Sequence, residues 1–351
     1  MKNFNFNDLF VLDLANNHQG NLKHGLKIIQ ECSKMVHKHK IRAAIKFQFR
    51  QYESFIHPHH KKNSDNKHIP RFLSTQLSQK DWEVLFKAVK DEGLLTMCTP
   101  FDNESVPIIS DMGFDIIKVA SCSAKDWPLL EDIAFASLPV VASTGGLKIN
   151  DVDNLVSFFE HRGVAHALMH CVSIYPIPQD DFHLNHIDTL RKRYKNTVIG
   201  WSTHENQDDM VPIQIAMAKG AKMFERHVGL DTDEVKLNVY SSRPKQLDKW
   251  FEAYRYSEIL CGSSTHRPIT AIEQDSLDGL QRGMFLKHDV EAGVILSASD
   301  IYYAMPFVSG QLSSENWVEN GIHTTEAIKK DAAVFPANVD IKSSNRYRVL
   351  K

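Results

Sequence analysis

The sequence predicts an α/β protein, a (β/α)8 TIM barrel followed by a small C-terminal β-rich domain. Three observations predict it. Eight short β-prone apolar runs recur along the first 230 residues, mostly 20–35 residues apart, with helical patterns between most of them. Every run turns polar at its C-terminal end, whereas an open doubly wound sheet would gather polar residues at one switch point. After about residue 270 the helical periodicity gives way to short alternating stretches and turns.

The first strand is read at 10–16, FVLDLAN, leading into Asn17, His18 and Gly20. A helix follows, with Leu26, Ile29 and Met35 apolar among polar residues. AAIKFQ at 43–48 is the second strand and carries Lys46 and Gln48. The next connection, HPHHKKNSDNKHIP, is long and polar, and its four histidines have no metal-motif spacing. It reads as a solvated loop over the site. Ser78, with Asp81 three residues on, predicts a capping box, and Trp82, Leu85, Phe86 and Val89 follow at helical spacing. Strands three to six are LLTMCTPF, FDIIKVASCS, PVVASTGG and HALMHCVSIYP. They end near Thr99, Ser121, the pair Ser143–Thr144, and Ser173 with Tyr175. TVIGWSTHE (197–205) and KMFERHVGL (222–230), separated by a helical stretch, form a βαβ unit. The helix KQLDKWFEAYRYSEIL closes the series. The boundaries expected are a barrel at 1–265, a polar linker at 266–276 and the small domain at 277–351.

The last two strands each end in a histidine, His204 and His227, with Glu225 nearby. Neutral imidazole binds borderline divalent metals, so two histidines on one sheet edge suggest a metal site. The plainer alternative is one catalytic and one packing histidine. Lys46 and Lys118 sit near strand ends among Thr99, Ser121, Ser143, Thr144 and Ser202. Desolvated lysines need a counter-anion: an anionic substrate, or a structural partner such as Asp13, Asp102 or Glu225. STGG at 143–146 offers amides and hydroxyls suited to phosphate or carboxylate.

Composition limits the partners. The formal net charge of −2 gives no electrostatic case for nucleic acid or a membrane surface. No apolar run approaches the ~20 residues of a membrane span. The N-terminus lacks a signal-peptide pattern, and five cysteines without a CxxC pair read as reduced thiols, so a cytoplasmic protein is expected.

In order and spacing, NNHQG (16–20), IKFQ (45–48), TPFD (99–102), IKVAS (117–121), STGG (143–146), HCVSIYP (170–176), GWSTH (200–204) and ERH (225–227) resemble the sialic acid synthase family. LKHDVEAGVILSASDI and the stretch from GQLSS onward resemble that family's antifreeze-like (SAF) module, so the likeness covers nearly the whole chain. The resemblance implies condensation of phosphoenolpyruvate with an N-acyl hexosamine-type aldehyde, giving a sialic acid-like nonulosonic acid and phosphate. It implies metal ligands at His204 and His227 for a divalent ion, Mn2+ first, with Mg2+ and Co2+ as alternatives. Lys46, Thr99, Lys118, Ser121, Ser143, Ser173 and Ser202 match phosphoenolpyruvate-binding positions; Tyr175 and Asn238 match positions at the acceptor. Asp13 or Glu225 would move a proton or orient water. The family also implies a domain-swapped homodimer. The chain departs from the pattern mainly on the acceptor side. Asp13 replaces a glutamate, Ser173 a frequent asparagine, Cys122–Ser123 a GE pair, Asn238 an aspartate, and Met305 an arginine before Pro306. The acceptor is therefore expected to differ from plain N-acetylmannosamine or to be held differently. Three rival activities fit the same barrel: a related 3-deoxy-ulosonate synthase, a Schiff-base aldolase with Lys118 as nucleophile, and a non-catalytic sugar-binding paralogue.

Overall fold

The computed structural model describes residues 4–62, 65–234, 236–262 and 267–341. The chain forms two compact units, 1–262 and 263–351.

The larger unit is a closed parallel barrel. Its strands are β1 (Leu9–Asp13), β2 (Arg42–Phe49), β3 (Leu95–Pro100), β4 (Ile116–Val119), β5 (Val140–Ser143), β6 (His166–Cys171), β7 (Val198–Thr203) and β8 (Met223–Val228). They pair in sequence order, and β1 against β8 completes the ring. A ninth strand of two residues, β9 (Ser241–Ser242), pairs with the end of β8. Most strands are a residue or more shorter than the sequence suggests, because their polar C-terminal residues have already left the ladder.

The two faces of each strand follow the period of two. Phe10, Leu12, Ile45, Phe47, Ile117 and Phe224 face outward into the shell packed by the helices. That shell is closed partly by Leu22–His39 and Pro244–Cys261, the latter through Trp250, Phe251 and Tyr254 around Phe10. Leu9, Val11, Ala44, Met97, Ile116, Val141, Ala167, Met169 and Met223 fill the lower interior. One step up the same faces, the side chains become Asp13, Lys46, Thr99, Lys118, Ser143, Cys171, Ser202 and Glu225. The lower layers are therefore an apolar plug, and the polar layer above it forms the floor of a site at the carboxyl ends. Gly200 serves the plug: a Cβ there would lie 2.6 Å from that of Met223.

Ser78 and Asp81 form the expected capping box on the helix Gln79–Asp91. The connection after β2 departs from a plain solvated loop. It holds a 3-10 turn at Pro58–His60 and a helix at Ile69–Ser74, with Pro70 in its first turn.

Two histidines are locked neutral by this packing. His18 accepts a hydrogen bond from the Gly20 amide (3.2 Å) and stands edge-on to Trp82. His170 packs on Trp201 and pairs through Nε2 with the Phe182 carbonyl at 2.9 Å. Burial, more than neighbouring charge, pulls both to about 4. An unfolded chain binds these protons near pH 6.5, the native one only near pH 4. Their contribution is whole above about pH 6.5 and is lost as pH falls toward 4. The loss reaches roughly 2 kcal/mol for each by pH 5. The urea midpoint should therefore drop between pH 7 and pH 5, and less so in His170→Gln. An equal drop in that variant would show that His170 is not the titrating group.

The smaller unit pairs β10 (Gly283–Leu286) with β11 (Ile301–Ala304) and β12 (Ile322–Thr324) with β13 (Val339–Ile341), both antiparallel. Met284, Leu286, Val290, Leu296, Ile301, Leu312, Ile322, Ile328, Val334 and Val339 form its own core. Gln311 donates to the Met284 carbonyl at 2.6 Å, and Gly283 leaves the room it needs. Part of the stretch expected as linker is helical, Ala271–Asp278, with Thr270 accepting from the Glu273 amide as its cap. Met305 is exposed, at the end of β11.

Candidate active site

A cavity of about 890 Å3 opens at the carboxyl ends of the barrel strands. Asp13, Lys46, Thr99, Lys118, Ser121, Ser143, Ser173, Tyr175, Ser202, His204, Glu225, His227 and Asn238 all line it. The residues that the sequence matched to the metal, the phosphoenolpyruvate and the acceptor are thus brought together, from eight different strands and the loops after them. Thr144 and His170 are not part of it. They line a separate cavity of about 960 Å3 beside the helix Asn185–Arg193, which holds no comparable set of paired charges. Asp102 is occupied elsewhere, accepting from the Gln51 and Ser105 amides.

Register explains the grouping. Asp13 lies opposite both Lys46 and His227, and Ser202 opposite Glu225. Inward residues of neighbouring strands thus meet at one height above the apolar plug. Glu225 is the centre of the floor. It pairs with Lys46, and its Oε2 lies 3.1 Å from the Lys118 ammonium. Lys46 is also 2.9 Å from Asp13, and Lys118 donates to Ser143 at 2.6 Å. Burial alone would raise Glu225, but the two lysines hold it well below the usual carboxylate range. Burial opposes the charge on Lys46 as well, and Asp13 with Glu225 outweighs it and raises the group. Lys118 comes out lowered: burial dominates and Lys46 repels it, with Glu225 in partial opposition. Both carboxylates are therefore ionised and both lysines have partners, a buried charged network. Such a network is costly unless its geometry is kept or a ligand completes it. Thr99 adds a buried hydroxyl with no partner among the described residues.

The β5 turn completes this side. The Gly145 amide donates to the Ser121 hydroxyl at 3.0 Å. A Cβ on Gly145 would sit 2.8 Å from that hydroxyl and run into Ser173. Gly145→Ala should therefore push apart the serines of the floor and lower turnover by roughly a hundredfold, with little change in thermal midpoint. Near-normal kinetics would show that the Ser121–Gly145–Ser173 contact does not position substrate.

His204 and His227 stand on the opposite wall, ring centroids 5.3 Å apart. Burial, with repulsion from His227, drops His204 to about 3, and its Nδ1 pairs with the Val172 carbonyl at 3.1 Å. That contact makes Nδ1 the donor and leaves the Nε2 lone pair free, the form in which imidazole binds a metal. His227 is lowered mainly by burial, and its Nε2 lies 3.5 Å from Asp13. Two neutral imidazoles with a carboxylate alongside are a donor set suited to a divalent ion with open positions. The one tight trio of histidine and carboxylates among the described residues, His39, Asp248 and Glu252, lies outside the barrel, with the Lys38 ammonium 2.6 Å from Asp248. Tyr175 lies with its ring centroid 4.0 Å from that of His204 and, with Tyr240, builds an aromatic wall. Asn238 accepts from the Tyr240 amide.

Arg50, Lys67, Arg71 and Tyr240 line the cavity too and escape the sequence reading. One signal was available for Arg50. Lys46 and Gln48 on β2, and Arg50 just past its end, step by two, the spacing that keeps side chains on one face.

The comparisons agree with this geometry. The chain matches the model of the NeuB family over residues 37–266. A crystal structure of a protein assigned provisionally as spore coat polysaccharide biosynthesis protein E of Chromobacterium violaceum is 41% identical, with a TM-score of 0.91 over 95% of this chain and 99% of that one. The N-acetylneuraminic acid synthetase of Leptospira borgpetersenii is 27% identical, with a TM-score of 0.67 over 79% of this chain and 94% of its own. The N-acetylneuraminate-9-phosphate synthase of Drosophila melanogaster is 31% identical over 64% of this chain and 60% of its own length. Carrying that family's match across two thirds of its length and the barrel floor described above, the chain belongs to the NeuB family.

Proposed function

We propose that this protein condenses phosphoenolpyruvate with an N-acyl hexosamine-type aldehyde, giving a nonulosonic acid and inorganic phosphate. The observation that carries this reading is the buried Lys46–Glu225–Lys118 floor beneath two neutral histidines. Two ammonium groups and the hydroxyls of Thr99, Ser121, Ser143, Ser173 and Ser202 suit a small, strongly anionic substrate. A phosphoenolpyruvate seated there places its C3 toward the histidine wall, where the acceptor aldehyde would enter.

The electron flow follows. C3 attacks the aldehyde carbon and the carbonyl oxygen becomes a hydroxyl. Water adds at C2, and phosphate leaves with cleavage of its C–O bond. The lysines neutralise the phosphate and carboxylate, and the serines fix their orientation, so much of the rate comes from placement in a dry, preorganised field. A divalent ion, Mn2+ by preference, held by His204 and His227 would polarise the acceptor carbonyl. Asp13 is the carboxylate we assign to proton transfer: it stands beside His227, while Glu225 is committed to both lysines. Gln48 donates to Asp13 at 3.1 Å and holds it in place. Tyr175 and Asn238 line the acceptor end. The proposed assembly is a homodimer, which light scattering would test. No helix among the described residues is long and apolar enough to cross a membrane.

The test is direct. Phosphoenolpyruvate, Mn2+ and a panel of N-acyl hexosamines are incubated with the protein, and phosphate release is followed. Acceptor-dependent phosphate supports the synthase. Pyruvate-dependent inactivation by borohydride, with no phosphate released, would establish a Schiff-base aldolase instead.

A further inference from the structure

The cavity holds a cation that the proposed chemistry does not use. Arg50 lies just past the end of β2, two residues beyond Gln48 and four beyond Lys46, roughly 13 Å along the backbone from Lys46. Its guanidinium is separated from the Lys46 ammonium by Gln48 and Asp13, which bond in series between them. Arg50 is only 8% exposed. Its guanidinium carbon lies 4.1 Å from the ring centre of Phe72 and 3.7 Å from that of Phe101. The rings cover the flat faces of the guanidinium and fix its plane, but its N–H donors project from the edge. At that edge Nη2 donates to Gln48 at 3.1 Å, while Nε and Nη1 have no hydrogen-bond partner among the described residues. No carboxylate pairs with it there. Asp13 is bound to Lys46, and Asp102 caps two backbone amides.

A buried guanidinium with unmatched donors is expensive to keep. Aromatic stacking alone would not require it, since an apolar side chain packs between two phenyl rings at lower cost. The surroundings strengthen the case. Lys67 and Arg71 also line the cavity, from the segment that carries Phe72. The only carboxylates lining the cavity, among the described residues, are Asp13 and Glu225, both on the floor and both paired to lysines. The floor is therefore balanced, and the remaining charged residues lining the cavity, apart from its histidines, are the cations Arg50, Lys67 and Arg71.

We infer that Arg50, with Arg71 and Lys67, forms a subsite for an anionic substituent of the acceptor, a phosphate ester or a carboxylate carried on the end remote from the aldehyde carbon. The inference rests on the synthase reading and names its acceptor class. Arg50 holds the acceptor's tail, and the Gln48 amide links it to Asp13 at the reacting end.

The test compares three probes by calorimetry on the full chain: N-acetylmannosamine, its 6-phosphate and the corresponding 6-carboxylate. At least one charged probe should bind ten- to a hundredfold tighter than the neutral sugar, and which one does so tells phosphate from carboxylate. Arg50→Gln should erase most of that advantage, Arg50→Lys only part of it, and phosphoenolpyruvate affinity should be unchanged in both. Equal binding of the three probes would overturn the subsite. So would an advantage that survives Arg50→Gln, or a loss that falls on phosphoenolpyruvate. If Arg50→Gln does not fold, the wild-type ratio and Arg50→Lys decide the matter. The two readings fail separately. Phosphate release with the neutral sugar alone would sink the subsite and keep the synthase, whereas absent phosphoenolpyruvate binding would sink the synthase while the probe ratios still report on Arg50.

Discussion

Lys118→Ala and Lys46→Ala should each lower kcat/KM for phosphoenolpyruvate by roughly a thousandfold, the equivalent of about 4 kcal/mol. Both ammonium groups are buried, both face the cavity, and both meet Glu225 there. An anion that leaves water for this floor recovers its hydration only through such partners. Truncation removes the partner and also leaves Glu225 with one lysine in place of two. The two variants should differ in stability. Lys46 holds Asp13 as well as Glu225, so Lys46→Ala should lower the thermal midpoint more than Lys118→Ala. Calorimetric titration with phosphoenolpyruvate separates binding from folding. Unchanged affinity in both variants would mean that these lysines serve only as structural ion pairs. The same variants discriminate mechanism: a Schiff-base route fails completely with Lys118→Ala and is indifferent to chelation, whereas the synthase keeps a residual rate.

His204→Ala and His227→Ala should each abolish metal-dependent turnover, by at least a thousandfold, and weaken Mn2+ binding to the protein by a similar factor. The effect is large because the described residues supply two imidazoles and few other donors at this wall. Loss of either leaves an ion with one nitrogen ligand. The fold should survive, since neither ring belongs to the outer apolar shell and the hydrogen bond of the His204 ring goes to the Val172 carbonyl alone among the described residues. Electron paramagnetic resonance of added Mn2+ reads the binding loss without reference to activity. Wild-type activity in either variant after exhaustive chelation would end the Lewis-acid role. Acid should not reproduce this loss. Burial keeps His204 neutral down to about pH 3, so the ligand form persists across the working range and the free enzyme gains no proton there as pH falls from 7 to 5. Any fall in activity across that window is then to be sought in other groups.

How much of this was legible from the chain depends on the range of the forces involved. The strands could be read because a barrel interior imposes a period of two and a helical shell imposes 3.6, and both are local patterns. The strand ends could be read because polar residues appear where the apolar plug stops, as at Asp13, Lys46 and Glu225. The capping box at Ser78 and Asp81 is likewise a bond between near neighbours. The βαβ argument placed His204 and His227 on one edge, and the structure sets their rings 5.3 Å apart.

Tertiary structure alone decided the pairings. From the sequence, Lys46 and Lys118 had three candidate carboxylates; the closed ring brings β8 beside β1 and gives Glu225 to both lysines, Asp13 to one, and Asp102 to neither. No local pattern encodes which strand meets the first. The histidine states were hidden in the same way, because a backbone carbonyl 32 residues away selects the tautomer of His204 and burial sets its charge. Arg50 shows the limit most plainly. Its step of two from Gln48 was visible, but its role depends on Phe72 and Phe101, which the fold places against its guanidinium from two separate connections. Periodicity is a property of the backbone and can be read along the chain. Desolvation and charge pairing are properties of the space that the closed barrel encloses, and they exist only once it is closed.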